Sequence, residues 1–284
     1  MTTTARDLLS PDVTEPTSTP VEVPDPPSKL TANTVGGLKV TGPASEGYIN
    51  ILLYGESGVT KTRTAGSASV VPEMSPVLLI DFEGGTLSLA DDYDRVEVVR
   101  AKTWKKVDEI YGELYNKNPY RTIILDSLTE TQKFCMQEVM REVVRTNPER
   151  DPDIASMREW GKSGEQVTRL VRALRDLPCN TIFTALVHET TNDSGIVTKQ
   201  RPGLPGQLRG SVPGYMDIVA YMYKKEVKVG NASTNKVLML TQGTEKTLAK
   251  DRSGKLPAVM EAPVMQVIYD TIHGNGNGET GNAA

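Results

Sequence analysis

The stretch Gly55-Glu-Ser-Gly-Val-Thr-Lys61-Thr62 decides the fold of this 284-residue chain. An apolar run over 48–54 precedes it and predicts a buried strand, while the small residues after Arg63 predict a helix. A glycine-containing turn in this context lets backbone amides curl around a phosphate at the helix N-terminus. Residues 55–62 are therefore predicted to form a phosphate loop, with Lys61 reaching the terminal phosphates and Thr62 ligating Mg²⁺. A turn that binds nothing is the alternative.

One position departs from the usual pattern of such loops, because Thr60 stands where a glycine normally precedes the lysine. A β-branched residue is poorly suited to a positive φ angle. Either the loop is reshaped at Thr60, or it tolerates backbone strain there. We expect this departure to affect the rate of hydrolysis more than nucleotide binding.

Two acidic residues follow apolar runs further along the chain. Asp126 ends the run Thr-Ile-Ile-Leu-Asp, where an acid can hold the water shell of Mg²⁺ beside the loop. Its alternative role is to cap the following helix. Glu83 enters a Gly-Gly turn after another apolar run, where a carboxylate can orient an attacking water. A solvated turn residue is the alternative for Glu83.

Short apolar runs alternate with helical patterns over most of the chain. Strands are predicted over 48–54, 76–81, 95–99, 121–126 and 180–187, and from Met216 onwards near 216–224, 235–242 and 246–250. Amphipathic helices are predicted between the earlier strands, and long helices are not expected after Met216. This order predicts an α/β fold with a mainly parallel sheet, helices on both faces and antiparallel C-terminal strands.

The composition divides the chain into three parts. Residues 1–47 are predicted to be a disordered, Pro- and Thr-rich acidic tail, 48–272 the folded domain, and 273–284 a flexible Gly/Asn tail. The formal charge is −4, from 32 Lys+Arg against 36 Asp+Glu, and residues 1–47 hold six acids against three bases. This balance excludes a general nucleic-acid coat, yet it leaves room for a local DNA site.

Several other classes of protein are excluded or disfavoured. Two cysteines, Cys135 and Cys179, are too few for a disulfide framework or a zinc site. No run reaches the 18 apolar residues that a membrane span needs, so no membrane partner is expected. The N-terminus has no apolar signal-peptide core, and we expect a cytoplasmic protein.

With these elements in place, residues 48–260 resemble the RecA-like P-loop ATPases, and within them the phage nucleotide-binding and single-strand-annealing branch. The resemblance is carried by the phosphate loop and by the motifs LLIDFEGGTLSL, TIILDSLTE, TALVHE and LAKDRSGKLP. It implies a RecA-type core that binds ATP and Mg²⁺ at the edge between protomers of a homo-oligomer, either a ring or a filament. It also implies the host-cell cytoplasm as the location if the chain is phage-encoded.

The resemblance assigns roles to individual residues. Lys61 and Glu83 act in catalysis, Thr62 and Asp126 hold the metal, and His188 senses the γ-phosphate, although a strand-end histidine without function is the alternative. The implied nucleotide-binding residues are Gly55, Glu56, Ser57, Gly58, Val59, Thr60, Lys61, Thr62 and Arg63. If protomers stack, Lys250 or Arg252 can reach the neighbour's γ-phosphate as a trans cation, and a solvated turn is equally compatible with the sequence.

The resemblance also implies two loops that carry single-stranded DNA, and the matching segments are 145–153 and the longer, more informative 189–214. The 189–214 segment is rich in Gly and Pro, and it carries the cations Lys199, Arg201 and Arg209 without an acid between 195 and 215. Phosphate contacts from such a loop give sequence-independent, salt-sensitive binding. A mobile lid with incidental charge is the alternative, since only Tyr215 beside it offers an aromatic ring for base stacking.

These features predict an ATP-hydrolysing, single-stranded-DNA-binding protein of phage recombination or annealing, with a single-strand-binding protein as a further candidate partner. Two alternatives stay open. One is a RecA-fold helicase or remodelling ATPase, which the lack of an accessory domain in this sequence disfavours. The other is a nucleotide-binding annealing scaffold with little turnover, which Thr60 keeps in play.

Overall fold

The computed structural model describes residues 34–35, 38–39, 47–90, 93–229 and 232–274. The chain divides into two compact units, residues 1–45 and 46–284. In the first unit, β1 (Thr34–Val35) pairs antiparallel with β2 (Leu38–Lys39). The predicted disorder of 1–47 and 273–284 lies outside the described residues, apart from these strands, residue 47 and residues 273–274.

The second unit alternates strands and helices up to α4 and is then mostly β. Its elements are β3 (Asn50–Gly55), α1 (Lys61–Gly66), β4 (Val77–Asp81), β5 (Val96–Arg100), α2 (Trp104–Asn116), β6 (Thr122–Asp126), α3 (Leu128–Thr146), α4 (Met157–Arg175), β7 (Asn180–Thr191), β8 (Val197–Pro202), α5 (Leu208–Tyr215), β9 (Ile218–Val229), β10 (Ala232–Leu240), β11 (Lys250–Asp251), β12 (Val259–Glu261) and α6 (Met265–His273). A capping box of Ser156 and Glu159 begins α4.

One sheet carries the second unit, in the order β12-β10-β9-β3-β7-β6-β4-β5, with β11 on β9 and β8 on β7. Six neighbouring strands of this sheet run parallel to one another: β9, β3, β7, β6, β4 and β5. The other four pair antiparallel, β8 with β7, β10 and β11 with β9, and β12 with β10. Strand β7 therefore lies between β3, which leads into the phosphate loop, and β6, which ends at Asp126. The carboxyl ends of the parallel strands meet at one sheet edge, where the site residues gather.

Helices cover both faces of this sheet. On one face, α2, α3, α4 and α5 pack Trp104, Leu128, Val167 and Leu208 onto β3, β6, β7 and β9. On the other face, Ala65 of α1 and Met265 of α6 pack against Ile51, Ile182 and Ile218. The β strands between them are apolar on both sides because both faces are buried. The predicted α/β class, with a mainly parallel sheet and antiparallel C-terminal strands, is confirmed.

The 189–214 segment is a hairpin followed by a helix, and the prediction of a long open loop was wrong. Strand β7 continues to Thr191, and β8 returns beside it with His188 paired to Arg201. Asn192 makes the turn because its side chain accepts from the amides of Ser194 and Ile196, at 3.1 and 2.9 Å. Helix α5 then buries Leu208 and Val212. The Asn-Asp-Ser-Gly sequence was the turn signal that pointed to a hairpin.

The C-terminal strands also differ in detail from the prediction. The strand expected over 246–250 is reduced to Lys250–Asp251, and β12 and the nine-residue helix α6 were not anticipated. Helix α6 packs on the phosphate-loop face, where the Met265 amide donates to Ser67 Oγ at 2.8 Å. No helix among the described residues is both long and apolar enough to cross a bilayer.

Candidate functional site

The phosphate loop leaves β3 at a position where only glycine fits. A Cβ on Gly55 would stand 2.2 Å from the carbonyl oxygen of Met222 in the neighbouring strand β9. Gly58 has φ +78°, in the left-handed region that glycine adopts without penalty. These two glycines let the backbone turn tightly from β3 into α1, and the turn leaves Glu56, Ser57 and Gly58 exposed.

Thr60 adopts the left-handed conformation that its residue type disfavours. Its φ and ψ are 64° and 24°, and its side chain makes no capping hydrogen bond to α1. Of the two outcomes that the sequence left open, the structure shows backbone strain at Thr60. A non-glycine residue in this conformation costs about 1–2 kcal/mol.

We expect Thr60→Gly to raise the free energy of unfolding by about 0.5–1 kcal/mol, because relief of the strain exceeds the added entropy of glycine in the unfolded chain. Chemical denaturation measures this change. Thr60→Ala is the matched control, since alanine keeps the Cβ and should leave the free energy nearly unchanged. An equal gain in both variants would show that strain at Thr60 is not the cause.

Lys61 is folded back onto the loop that it belongs to. Its Nζ donates to the carbonyl oxygens of Gly55 and Glu56, at 3.0 and 2.7 Å. Burial lowers the pKa of this ammonium, and the nearby carboxylates of Asp126, Glu83 and Glu56 oppose that shift. The Lys61 ammonium is thus held at the mouth of the loop, within reach of a phosphate bound by the loop amides.

Asp126 is joined to the phosphate loop by a hydrogen bond. Thr62 Oγ1 donates to Asp126 Oδ2 at 2.7 Å, and Thr184 of β7 donates to the other carboxylate oxygen. Asp126 is buried, and the peptide bond that follows it is cis. A hydroxyl and a carboxylate at this distance suit Mg²⁺, which takes few protein oxygens and completes its shell with phosphates and water. The predicted metal residues are therefore neighbours in the structure.

Glu83 is brought to the same sheet edge by its neighbours. Ser127, the residue after Asp126, donates its hydroxyl to Glu83 Oε1. Asp81 shapes the preceding turn, since its Oδ1 accepts from the amides of Glu83 and Gly84 at 3.0 and 2.7 Å. Glu83 is an exposed residue, so its carboxylate is accessible to a bound water.

The remaining residues predicted for nucleotide binding frame the loop. Val59 is buried beneath it in the core cluster of α1 and α6. Arg63 extends along the outside, with its guanidinium carbon 5.6 Å from the ring centroid of Tyr93 and its Nη1 3.5 Å from Ser88 O. Arg63 therefore packs against Tyr93 in the structure.

His188 lies on β7, in the part of the strand that pairs with β8. It is exposed, two residues beyond Leu186, which is paired with Gly55. Within the described part of the chain its side chain makes no hydrogen bond or ion pair. Strand alternation puts it on the same face as Thr184, whose hydroxyl bonds to Asp126. Sensing of the γ-phosphate by His188 stays a prediction.

Lys250 and Arg252 lie toward the sheet edge opposite the phosphate loop. Lys250 pairs with Val219, which is level with Leu52, three residues before Gly55. Both cations form hydrogen bonds to the end of α5. Lys250 Nζ donates to Pro213 O at 2.7 Å, and Arg252 Nη2 donates to Gly214 O at 2.8 Å. Burial, and then the charge of Arg252, lower the pKa of Lys250. A role at a nucleotide requires a second copy of the chain and stays a prediction.

The three cations predicted for DNA binding differ in their surroundings. Arg201 Nη1 donates to the carbonyl oxygens of Gln200 and Lys246 at 2.8 and 2.9 Å, and Arg209 Nε donates to Leu204 O at 3.0 Å. Lys199 is exposed on β8 and makes no side-chain hydrogen bond or ion pair with the described residues. Arg201 and Arg209 therefore stabilise the local backbone through hydrogen bonds to carbonyl oxygens.

Sequence reasoning missed three polar residues that position the site: Asp81, Ser127 and Thr184. Each had a signal, because each is a polar residue in or directly after an apolar strand run. A buried polar side chain needs a hydrogen-bond partner. The carboxylates of Glu83 and Asp126 supply it for Ser127 and Thr184, and the turn amides of Glu83 and Gly84 supply it for Asp81.

Comparisons with known proteins give a family match and a similar solved structure. The AAA domain family (AAA_24) matches residues 48–253. Among solved structures, the KaiC-like protein PH0186 from the hyperthermophilic archaeon Pyrococcus horikoshii OT3 is similar at 15% identity and a TM-score of 0.42, over 68% of this chain and 78% of that one. A search of curated proteins gives no match. On the family match over most of its length, which includes the α/β core and the phosphate loop described above, the chain belongs to the AAA domain family.

Proposed function

We propose that this protein is an ATPase that binds single-stranded DNA and serves phage recombination or annealing. The observation that carries the ATPase part is the contact between Thr62 and Asp126, 2.7 Å apart at the mouth of the phosphate loop. Thr62 at the start of α1 and Asp126 at the end of β6 are 64 positions apart in sequence and meet at this point. Lys61 and Glu83 lie beside them. This arrangement supports phosphoryl transfer, which depends on positioning and charge stabilisation.

Each of these side chains has a distinct task in the proposed reaction. The loop amides and Lys61 bind the β- and γ-phosphates, and Thr62 and Asp126 would hold Mg²⁺. Bound Mg²⁺ supplies neutralisation of the charge that develops on the phosphates. Glu83 orients a water in line with the γ-phosphate and accepts its proton. Ser127 holds the carboxylate by a hydrogen bond, and Asp81 holds the backbone of the turn.

The DNA part of the proposal rests on the β7–β8 hairpin. Lys199 and Arg201 lie on β8, the second strand of the hairpin. The first strand, β7, also carries Thr184, whose hydroxyl donates to Asp126. Strand β7 thus connects the nucleotide site to the cationic hairpin. A homo-oligomer, ring or filament, fits the position of Lys250 and Arg252 away from their own phosphate loop.

Lys199→Ala tests the DNA contact without disturbing the hairpin. We expect the slope of log K against log salt for single-stranded DNA to fall by about 0.7, the value for one lost phosphate contact on a single strand. Fluorescence anisotropy over a salt series measures it. Lys105→Ala, an exposed lysine on α2, is the control and should leave the slope unchanged. Arg201 and Arg209 are less suitable because both also bind backbone carbonyls.

The whole proposal is tested by ATP hydrolysis with and without single-stranded DNA, together with strand displacement and annealing assays. Turnover stimulated by DNA without unwinding supports it. Unwinding would indicate a helicase instead. Annealing without turnover would indicate a nucleotide-binding scaffold, an alternative that the strained conformation of Thr60 specifically favours.

A further inference from the structure

A second lysine lies beside the phosphate loop, although it is distant in sequence. Strand β9 runs parallel to β3 with Met222 paired to Gly55, and it continues past this level to Val229. Lys224 is two residues beyond Met222. Its Nζ lies 3.8 Å from the position that a Cβ on Gly58 would occupy. The extension of β9 beyond the sheet edge therefore delivers a cation to the middle of the loop.

The alternation of β9 explains why Lys224 and not its neighbour reaches the loop. Met222 packs in the core cluster that contains Val59 of the loop, on the face covered by α1. Lys224 follows Met222 on this face, whereas Lys225 follows Tyr223 on the opposite face. The two adjacent lysines thus differ in direction while sharing strand, charge and exposure.

The Lys224 ammonium is available to a ligand. The side chain is exposed, and among the residues that the structure describes no hydrogen bond or ion pair engages it. Gly58 leaves the space between the ammonium and the loop open, because it has no side chain. Lys61, in contrast, already donates to two loop carbonyls.

The charges at the loop call for a second cation when phosphates bind. Asp126 and Glu83 stand at the same sheet edge and are linked to Thr62 and Ser127. A triphosphate adds further negative charge close to both carboxylates, and like charges at short range oppose binding. In the sheet, β9 lies on one side of β3, while β6 and β4, which lead to Asp126 and Glu83, lie on the other side beyond β7. An ammonium 3.8 Å from the Gly58 Cβ position therefore offsets this repulsion from the side opposite the two carboxylates.

We propose that Lys224 is a second phosphate-binding cation, which contacts the phosphate chain of a nucleotide held by residues 55–62 of the same chain. This inference rests on the proposed function, namely that the loop binds a nucleotide. It extends the binding site to β9, which lies outside the phosphate-loop motif of residues 55–62 and also pairs with β10 and β11.

Calorimetric titration of the full chain with ATP and Mg²⁺ tests the inference, using Lys224→Ala, Lys224→Arg and the neighbouring control Lys225→Ala. We expect Lys224→Ala to weaken ATP binding about tenfold, the usual effect of losing one charge-assisted hydrogen bond. Lys224→Arg should restore most of the affinity, and Lys225→Ala should stay within about twofold of the wild type. Thermal unfolding confirms that each variant is folded.

The outcomes separate this inference from the proposed function. If the wild type binds no ATP, the proposed function fails and the role of Lys224 fails with it. If the wild type binds ATP and Lys61→Ala does not, while Lys224→Ala binds as tightly as the wild type, only the inference about Lys224 is overturned. Equal weakening by Lys224→Ala and Lys225→Ala would also overturn it, because bulk charge rather than a contact would then be responsible.

Discussion

Replacement of Lys61 by alanine is expected to weaken ATP binding by more than about 100-fold. The ammonium is held at the loop mouth, 3.0 Å from Gly55 O, and no other described lysine is hydrogen-bonded within the loop. Hydrogen bonds to a charged group contribute about 1.5–3 kcal/mol each, and Lys61 can make more than one to the terminal phosphates. Calorimetric titration with ATP and Mg²⁺ measures the loss.

The control for this variant addresses the shape of the loop. Lys61 also donates to Gly55 and Glu56 in the structure, so Lys61→Ala removes two internal hydrogen bonds together with the charge. Thermal unfolding should therefore be recorded beside binding, with Lys105→Ala as an exposed-lysine control. Retention of ATP affinity within threefold in a folded Lys61→Ala protein would contradict the assignment of residues 55–62 as the phosphate site.

Glu83→Gln is expected to lower ATP turnover by about 100-fold or more while leaving ATP affinity nearly unchanged. General-base catalysis contributes about 10²–10⁴-fold, and glutamine keeps the size of the side chain but cannot accept the proton. The amide oxygen can still accept from Ser127, so the turn formed by Asp81 and Gly84 should persist. The variant should then accumulate with ATP bound and hold single-stranded DNA more tightly.

Steady-state phosphate release and anisotropy of labelled DNA in the presence of ATP measure the two effects of Glu83→Gln. Glu113→Gln, on the exposed side of α2, is the matched control and should change neither. Unchanged turnover in Glu83→Gln would refute Glu83 as the base. A loss of ATP affinity equal to the loss of turnover would instead point to a damaged turn.

The sequence predicted the parts of the site that lie within short segments. Lys61, Thr62 and Asp126 follow directly from a strand-loop-helix pattern and an acid at a strand end, and the structure brings Thr62 and Asp126 into contact. The buried strands were equally predictable, because apolar runs bounded by Gly, Pro or Asp have few alternatives. The φ angle of Thr60 was not predictable, since the sequence allowed a reshaped loop as well as a strained one.

Features that depend on strand pairing were not recovered, although the Asn-Asp-Ser-Gly sequence was an available signal for the β7–β8 hairpin. The cations of β8 looked like part of a loop because the partner strand β7 was predicted to end at 187, before the hairpin. Lys224 drew no attention because its proximity to Gly58 depends on the parallel register of β9 with β3. Register of this kind joins residues more than 160 positions apart, which local periodicity does not encode.

The rate of phosphate release from ATP, with and without single-stranded DNA, tests the central claim most directly. We predict Mg²⁺-dependent release by the wild type that rises when DNA is added and loses this stimulation as salt increases from about 50 to 200 mM. Release by Glu83→Gln should stay near background under every condition. Wild-type release that is indistinguishable from that of Glu83→Gln, with DNA and without it, would contradict the account of this protein as a DNA-dependent ATPase.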